Sequence, residues 1–570
     1  MSGPGPSYAR GTFTAVPSPP GGRGSGRGGR RDDPTRRGFI RLLGASGGVV
    51  LGGGGLVSLL EACSSTSGST STSSSNQQLT MAVFQEPDTL DPSASGLITV
   101  GTISQCVFDH LIWKLPGQSG FLPGLASSWT VSSDATAYTF KLRQDVKFHD
   151  GSAFDANAVK VTFDHIVDPA TKSKSAAGEL GPYKETQVLD KYTAKVVFSQ
   201  PNAAFMNEVA GFSIISPAGL QKYGADFAHN PVGTGPFKFK EYVVGQHVIV
   251  ERNPDYGWGP SALRTGPPQL KQITFRILAD PGARFNALQT GEIQFAPNLN
   301  PQDIAKVKGD SRYKVYTVAS TGMPWNIMVN AQKPPTDDPA VRQALQYATD
   351  QSSIIKTLFF GLHRSADSVF TPITPGYDRA TQAIYSHNPA KAGQLLDQAG
   401  WTKGSDGMRQ KNGQPLNLKF INISGYGFDG ISQLMQSQFK DVGIAVDISD
   451  QSFPAVGDAY NRGDHHLADF FYYDVDPYFL RAIFGSDQIA HGFNWEHYSN
   501  PSLDALVDRA NGTADASQRT GLYKQAGQTV MEAAVIIPIY NSDGLFVGTS
   551  SLKGVKFTVN AFPLFHNASL

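Results

Sequence analysis

Few side chains in this sequence are spaced for catalysis. His465-His466 are adjacent, so the two imidazoles would not ordinarily share one ligand geometry, and His-x-Glu and Cys-x-x-Cys zinc spacings are missing. Glu496-His497 is a lone pair in an aromatic loop and reads as a surface or turn feature. Gly44-Ala45-Ser46-Gly47-Gly48 fits a hydrolase nucleophile elbow, yet it lies in a glycine-rich N-terminal segment with no strand before it and no helix after it. Gly233-Thr234-Gly235 lacks a third glycine and a following Lys-Ser/Thr, so Asn230–Phe237 reads as a tight shaped loop and not a phosphate cradle. Cys106, between Gln105 and Val107-Phe108, is most simply a small buried apolar residue. What stands out is Phe470-Phe471-Tyr472-Tyr473-Asp474-Val475-Asp476-Pro477-Tyr478-Phe479-Leu480, an aromatic run that ends in two carboxylates. In a closed cleft such carboxylates attract a cation with little screening; the plainer alternative is that they turn the chain after a buried strand.

The elements that must position these residues alternate between strand and helix. Ala137–Leu142 has the period of a half-buried strand, with Val146 and Phe148 leading to an Asp150-Gly151 turn. Asp155 caps a helix carrying Ala158, Val159, Phe163 and Ile166 on one side, and Val196–Phe198, Val248–Val250 and Ile273–Leu278 read as strands. Asp338-Pro339 and Asn388-Pro389 each place a cap before a proline at the first helical position. The first leads a stripe of Val341, Leu345, Ala348 and Ile355; the second leads Ala392, Leu395, Leu396 and Ala399, ended by Gly400. A helix over 431–442 then stops at Gly443 and feeds a strand over 444–448. No segment repeats.

Length and composition agree with a large mixed α/β chain. The 570 residues are 40% hydrophobic and 17% charged with 34 Phe and 20 Tyr, enough to bury sizeable cores and too long for one of them. Basic and acidic residues balance at 48 each, which gives no case for nucleic acid. Residues 1–62 hold eight of the basic residues, all Arg, and only three acids, so the remainder is net acidic.

That basic segment resembles an export address. Thr35-Arg36-Arg37-Gly38-Phe39-Ile40-Arg41 is similar to the twin-arginine motif, with Arg36 and Arg37 as the signal pair. The run from Leu42 to Leu60 carries seven glycines, at about 1 kcal/mol each relative to Ala, which argues against a stable spanning helix. Leu59-Leu60-Glu61-Ala62-Cys63 resembles a lipobox, in which the Cys63 thiolate takes up lipid; Glu61 departs from the pattern. A Ser/Thr tether, SSTSGSTSTSSS, follows. This order implies a signal peptide over 1–62, a tether over 63–78, and a mature protein lipid-anchored to the outer face of the cytoplasmic membrane.

The mature chain resembles the solute-binding proteins of ABC importers, in the large family (family 5) that includes dipeptide and oligopeptide receptors. The matching segments run in a fixed order: Leu90-Asp91-Pro92, Val107–Leu111, Leu122–Trp129, Tyr138–Arg143, Val146–Gly151, Asn230–Phe237, Arg284 with Ala287–Ile293, Val341–Leu345 and Lys391–Gly400. The resemblance implies an α/β periplasmic-binding-protein-like two-lobe fold, with mixed sheets flanked by helices and an extra subdomain in a large first lobe. Lobe one is expected over 79–320 plus 538–570 and lobe two over 321–537. It implies a receptor and not an enzyme, expected as a monomer; some relatives carry nickel or a nickel chelate, but no residue here points to a cofactor or metal site. The receptor closes its lobes on a peptide or similar small solute and delivers it to permease subunits and their ATPases. A surface-anchored hydrolase of peptides or glycosides, or a sensory or chaperone-like binding protein without a permease, are the alternatives.

In peptide-binding members the stretch matching the aromatic run carries an aspartate that pairs with the ligand ammonium, which points to Asp474, with Tyr472 and Asp476 beside it. Trp325 and Asn326, where the chain crosses into lobe two, Tyr426 in the glycine-flanked loop after strand 418–423, and Phe453 complete the expected site. Dipeptide receptors of the family also carry an arginine in the loop matching 424–430. This chain has neither Arg nor Lys there, which argues against short peptides recognised by their C-terminus and leaves longer peptides, amines or sugar-like solutes open.

Overall fold

A computed structural model of the chain describes residues 77–118, 120–424, 429–489 and 491–570. Arg36, Arg37, Cys63 and Tyr426 lie outside the described residues, and of Phe453 only the backbone is described, as the first residue of the helix Phe453–Asn461.

The first half of the chain builds two sheets. A seven-stranded mixed sheet runs Tyr313–Val318, Gly544–Thr549, Phe295–Pro297, Gln78–Val83, Gln272–Ile277, His247–Arg252 and Phe237–Val243. Its centre is a parallel pair in register from Gln78 opposite Gln272 to Val83 opposite Ile277. A four-stranded antiparallel sheet orders Ala126–Val131, Ala137–Leu142, Thr193–Phe198 and Tyr183–Asp190. The helix Ala156–Val167 covers it with Ala158, Val159, Phe163 and Ile166 inward, and Asp155 caps it by accepting from the Asn157 N–H at 3.0 Å, as the spacing predicts. In the 230–237 loop, a Cβ on Gly233 would meet Val107 O at 2.1 Å and one on Gly235 would meet Cys106 O at 2.5 Å. That loop is glycine because backbone packs on backbone there. Cys106 itself is 1% exposed, in the same core.

The second half builds a five-stranded sheet ordered Ala445–Gln451, Asn417–Ile423, Leu467–Tyr472, Met323–Val329 and Ile536–Tyr540. Both faces are buried. Trp325, Ile327, Leu418, Phe420 and Ile537 enter one core while Met328, Ile421, Ala468, Phe470 and Ile536 enter the other, the alternation expected of strands covered on two sides. Asp338 and Asn388 cap their helices as expected, accepting from Ala340 N and Lys391 N. The stripe from Val341 to Ile355 is two helices, Pro339–Ala348 and Gln351–Phe359. Asp350 separates them because its carboxylate accepts from Ser353 N and starts a new turn.

The chain leaves one large sheet for the other twice, between Val318 and Met323 and between Tyr540 and Gly544. The two crossings are tied together. Ser320 Oγ donates to Ser542 O at 2.7 Å, Thr371 Oγ1 donates to Ser320 O at 2.7 Å, and Arg364 grips Asp543 at 2.9 and 2.7 Å.

Candidate functional site

The antiparallel pairing of Met323–Val329 with Leu467–Tyr472 brings two of the expected segments side by side, with Asn326 opposite Phe470 and Met323 opposite Tyr472. Trp325 is 1% exposed and lies nearly parallel to Tyr540, ring centroids 5.7 Å apart. Asn326 is fully buried and donates to Pro324 O and Phe470 O at 2.9 and 3.1 Å. Both are packed into the strand. Tyr472 is half-buried among Phe470, Phe479 and Phe493, and Tyr473 is 44% exposed against Phe471.

Beyond Tyr472 the chain turns twice on its own aspartates. The Asp476 N–H donates to Asp474 Oδ1 at 2.8 Å, and the Tyr478 N–H donates to Asp476 Oδ1 at 2.8 Å. The two carboxylates then diverge. Asp476 is 1% exposed and takes two donors from Arg519 and one from Asn207, each at 2.6 Å, which saturates it with protein partners. Asp474 stays partly open, and its carboxyl is hydrogen-bonded to that of Glu208.

Glu208 comes from the other half of the chain, at the end of the one-turn helix Phe205–Glu208, and is nine-tenths buried. Burial pushes its carboxyl well above the ordinary value, and the negative charges of Asp474, Glu179 and Asp476 push it further. Burial likewise lifts Asp474, against the pull of the Asp476 N–H, to about 7. Glu179, in the short helix Ala176–Leu180, adds negative potential to both; the residue also lines a recess of about 70 Å³ with Ser93, Ser175, Ser213, Phe212 and Ile166. Asp474 and Glu208, far apart in the chain, thus bring two carboxyls together, and burial disfavours ionising both at once.

Glu179, Glu208, Asn207 and Arg519 were not expected from the sequence. Only Glu208 left a trace: it is the one charged residue between Lys195 and Lys222, in a stretch otherwise built for a core.

The histidines form no second site. His465 is buried with Nε2 on Trp495 O at 2.7 Å, whereas His466 turns the other way, its Nδ1 accepting from Lys419 N at 2.8 Å. Burial lowers both, to about 3 and about 4, so both are neutral packing groups. Among the described residues no group of three or more His, Cys, Asp or Glu side chains is arranged to hold a metal ion.

Residues 120–490 match the family model described as bacterial extracellular solute-binding proteins, family 5 middle. The glutathione-binding protein GsiB of Escherichia coli O1:K1 / APEC is 30% identical over 482 residues, which cover 81% of this chain and 88% of that protein. Di/tripeptide-binding protein 2 of Pseudomonas aeruginosa (strain UCBPP-PA14) is 29% identical over 495 residues, covering 81% and 90%. Among solved structures, the ABC transporter substrate-binding protein CtaP of Listeria monocytogenes superposes with a TM-score of 0.74 at 27% identity, over 86% of this chain and 99% of that one.

Proposed function

Because this chain belongs to the bacterial extracellular solute-binding proteins of family 5, whose members are receptors and not enzymes, we propose that it captures a peptide by its free ammonium group and hands it to an ABC permease. The ammonium sits between Asp474 and Glu208, replacing the proton those carboxyls share. The observation that carries this reading is that pair: two acids from opposite halves of the chain, both raised by burial, at the end of an aromatic strand. A buried like-charged pair is costly unless a cation or a proton sits between its members.

Closure follows from the same pair. Lobe one takes 79–320 and the C-terminal segment expected at 538–570, and lobe two the residues between; the change of sheet at 319–322 supports the first boundary, while the strand Ile536–Tyr540 belongs to the five-stranded sheet and favours a second boundary at 541–543. A ligand that touches Glu208 on one lobe and Asp474 on the other binds both only when the lobes are shut, so it shifts the equilibrium toward closure. Tyr472 and Tyr473 wall the cleft beside Asp474. Asp476, Trp325 and Asn326 hold the wall in place from behind. Arg36 and Arg37 direct export and Cys63 carries the lipid, which leaves a monomer tethered outside the cytoplasmic membrane.

Calorimetry with Ala-Ala-Ala and with its N-acetylated form tests the central claim. The free peptide should bind, and acetylation should cost about thirtyfold or more, the scale of losing one partner of a desolvated charge pair. Equal affinity for the two forms would overturn the assignment, and so would steady hydrolysis of the bound peptide.

A further inference from the structure

Away from the crossings, the two sides of the cleft also meet at a junction joined by four hydrogen bonds. Segment 201–208 follows the strand Thr193–Phe198 of the four-stranded sheet. Opposite it stand Asp476 and the junction of the helices Pro501–Asn511 and Ala516–Ala533, whose apolar faces share a core with Met328, Ile421 and Phe470 of the five-stranded sheet. Across the junction the Ala203 N–H donates to Asn511 O at 2.9 Å and the Ala204 N–H to Asn511 Oδ1 at 3.2 Å, while Asn511 Nδ2 donates back to Pro201 O at 3.3 Å. Asn207 Nδ2 reaches Asp476 Oδ2 at 2.6 Å.

Each half of this contact is braced from its own side. Arg519 holds Asp476 with two bonds and is itself fixed by Ala510 O at 3.2 Å and Tyr523 Oη at 3.0 Å, so the carboxylate is presented at a set position. On the other side Tyr138 Oη donates to Asn202 O at 2.7 Å and Asn202 Nδ2 donates to Leu180 O at 3.1 Å, which pins the 201–208 segment to its sheet. The facing residues are small or amide-bearing: Ala203, Ala204, Asn207 and Asn511. Such a surface can be rehydrated when it parts, because its donors and acceptors exchange protein partners for water at small net cost. An apolar contact of the same extent would bind the halves permanently.

We propose that Asn207 and Asn511, docking on Asp476 and the 201–204 backbone, form a latch that holds the two lobes shut without solute. The inference rests on the two-lobe reading above. It gives Asp476 a role distinct from that of Asp474: it sets how often the protein is closed, and a receptor whose binding-competent state is partly populated shows an affinity scaled by that population. Glu208 and Asp474, one residue from Asn207 and two from Asp476, oppose the latch when both are ionised, so closing is balanced between a polar clasp and a carboxylate pair.

Hydrogen–deuterium exchange of the full-length protein without added peptide reads the latch through the amides of Ala203 and Ala204, with small-angle scattering alongside. Asn207→Asp, which sets a second carboxylate against Asp476, should speed exchange over 201–208 by about tenfold and enlarge the radius of gyration, and Asn207→Ala should do so by less. If Asn207→Asp fails to fold, Asn207→Ala decides. Unchanged exchange over 201–208 overturns the latch, and a radius that still shrinks on adding Ala-Ala-Ala then leaves the lobe reading standing. Faster exchange at an unchanged radius also overturns it, because the contact then opens without parting the lobes.

Discussion

Arg519 holds Asp476 through both terminal nitrogens, each at 2.6 Å, with the aspartate 1% and the arginine 7% exposed. Of the two carboxylates that end the aromatic run, Asp476 has a complete set of protein donors and frames the turn, which leaves Asp474, two residues earlier, as the proposed ligand group. A buried ion pair is dear to desolvate, and removing one partner leaves the other charged and unpaired.

Arg519→Met should accordingly destabilise the fold by about 3–5 kcal/mol in urea unfolding, far more than an ordinary surface change. Arg519→Lys should recover only part of this, since an ammonium cannot reproduce the two-pronged contact. A loss below 1 kcal/mol for Arg519→Met would remove Asp476 from the frame.

Asp474→Asn should act in the opposite manner. The side chain is partly open and its replacement keeps an acceptor for the Asp476 N–H, so stability should stay within about 1 kcal/mol. Binding of an amine-bearing tripeptide should weaken by about tenfold to a hundredfold. Glu208→Gln should weaken it too, and calorimetry on the two variants and their double mutant would show whether they act on one charge: the losses should fall short of adding.

The pairing of Glu208 with Asp474 also explains what the sequence displays and what it withholds. Asp338-Pro339, Asn388-Pro389 and Asp155 announce their helices because a cap and the turn it closes are neighbours in the chain. The family order of segments made the fold legible at once. The site was half legible. Asp474 stands in a local aromatic pattern, whereas Glu208, Asn207 and Arg519 reach it only through tertiary folding. Trp325 and Asn326 look the same in sequence whether they face a cleft or a core, and a strand covered on both faces buries them both. The break at Asp350 was missed because its carboxylate competes locally with a helix that the apolar spacing alone would continue.

Gly322 packs the first crossing against the backbone at Asp474. Its φ is +110°, and a Cβ there would lie 2.3 Å from Tyr472 O and 2.8 Å from Asp474 N. Gly322→Ala must therefore push the 472–474 backbone away while straining its own, at a cost of about 1–3 kcal/mol in stability. Affinity for the tripeptide should fall in the parent but hardly at all in the Asp474→Asn background, because the displaced group is already disabled. Equal losses in both backgrounds would mean that Gly322 acts on folding alone.

The acid pair makes both stability and binding depend on pH, in opposite directions. Asp474 releases its proton at about 7 in the folded protein, and Glu208 is raised as well, whereas unfolded carboxylates ionise near about 4. Between those values the folded state binds more protons than the unfolded one, so the pair's contribution to the stability of the peptide-free protein is full below about 4 and declines as pH rises toward 7. A peptide ammonium keeps its charge through this range and needs the carboxylates ionised, so its affinity should rise over the same interval. Binding at pH 6 should then release protons, which calorimetry in two buffers of unlike ionisation enthalpy would count. In Glu208→Gln the proton count should fall along with the slope of affinity against pH. A pH-independent affinity between 5.5 and 8, with no proton released, would show that the cation does not go between these two residues.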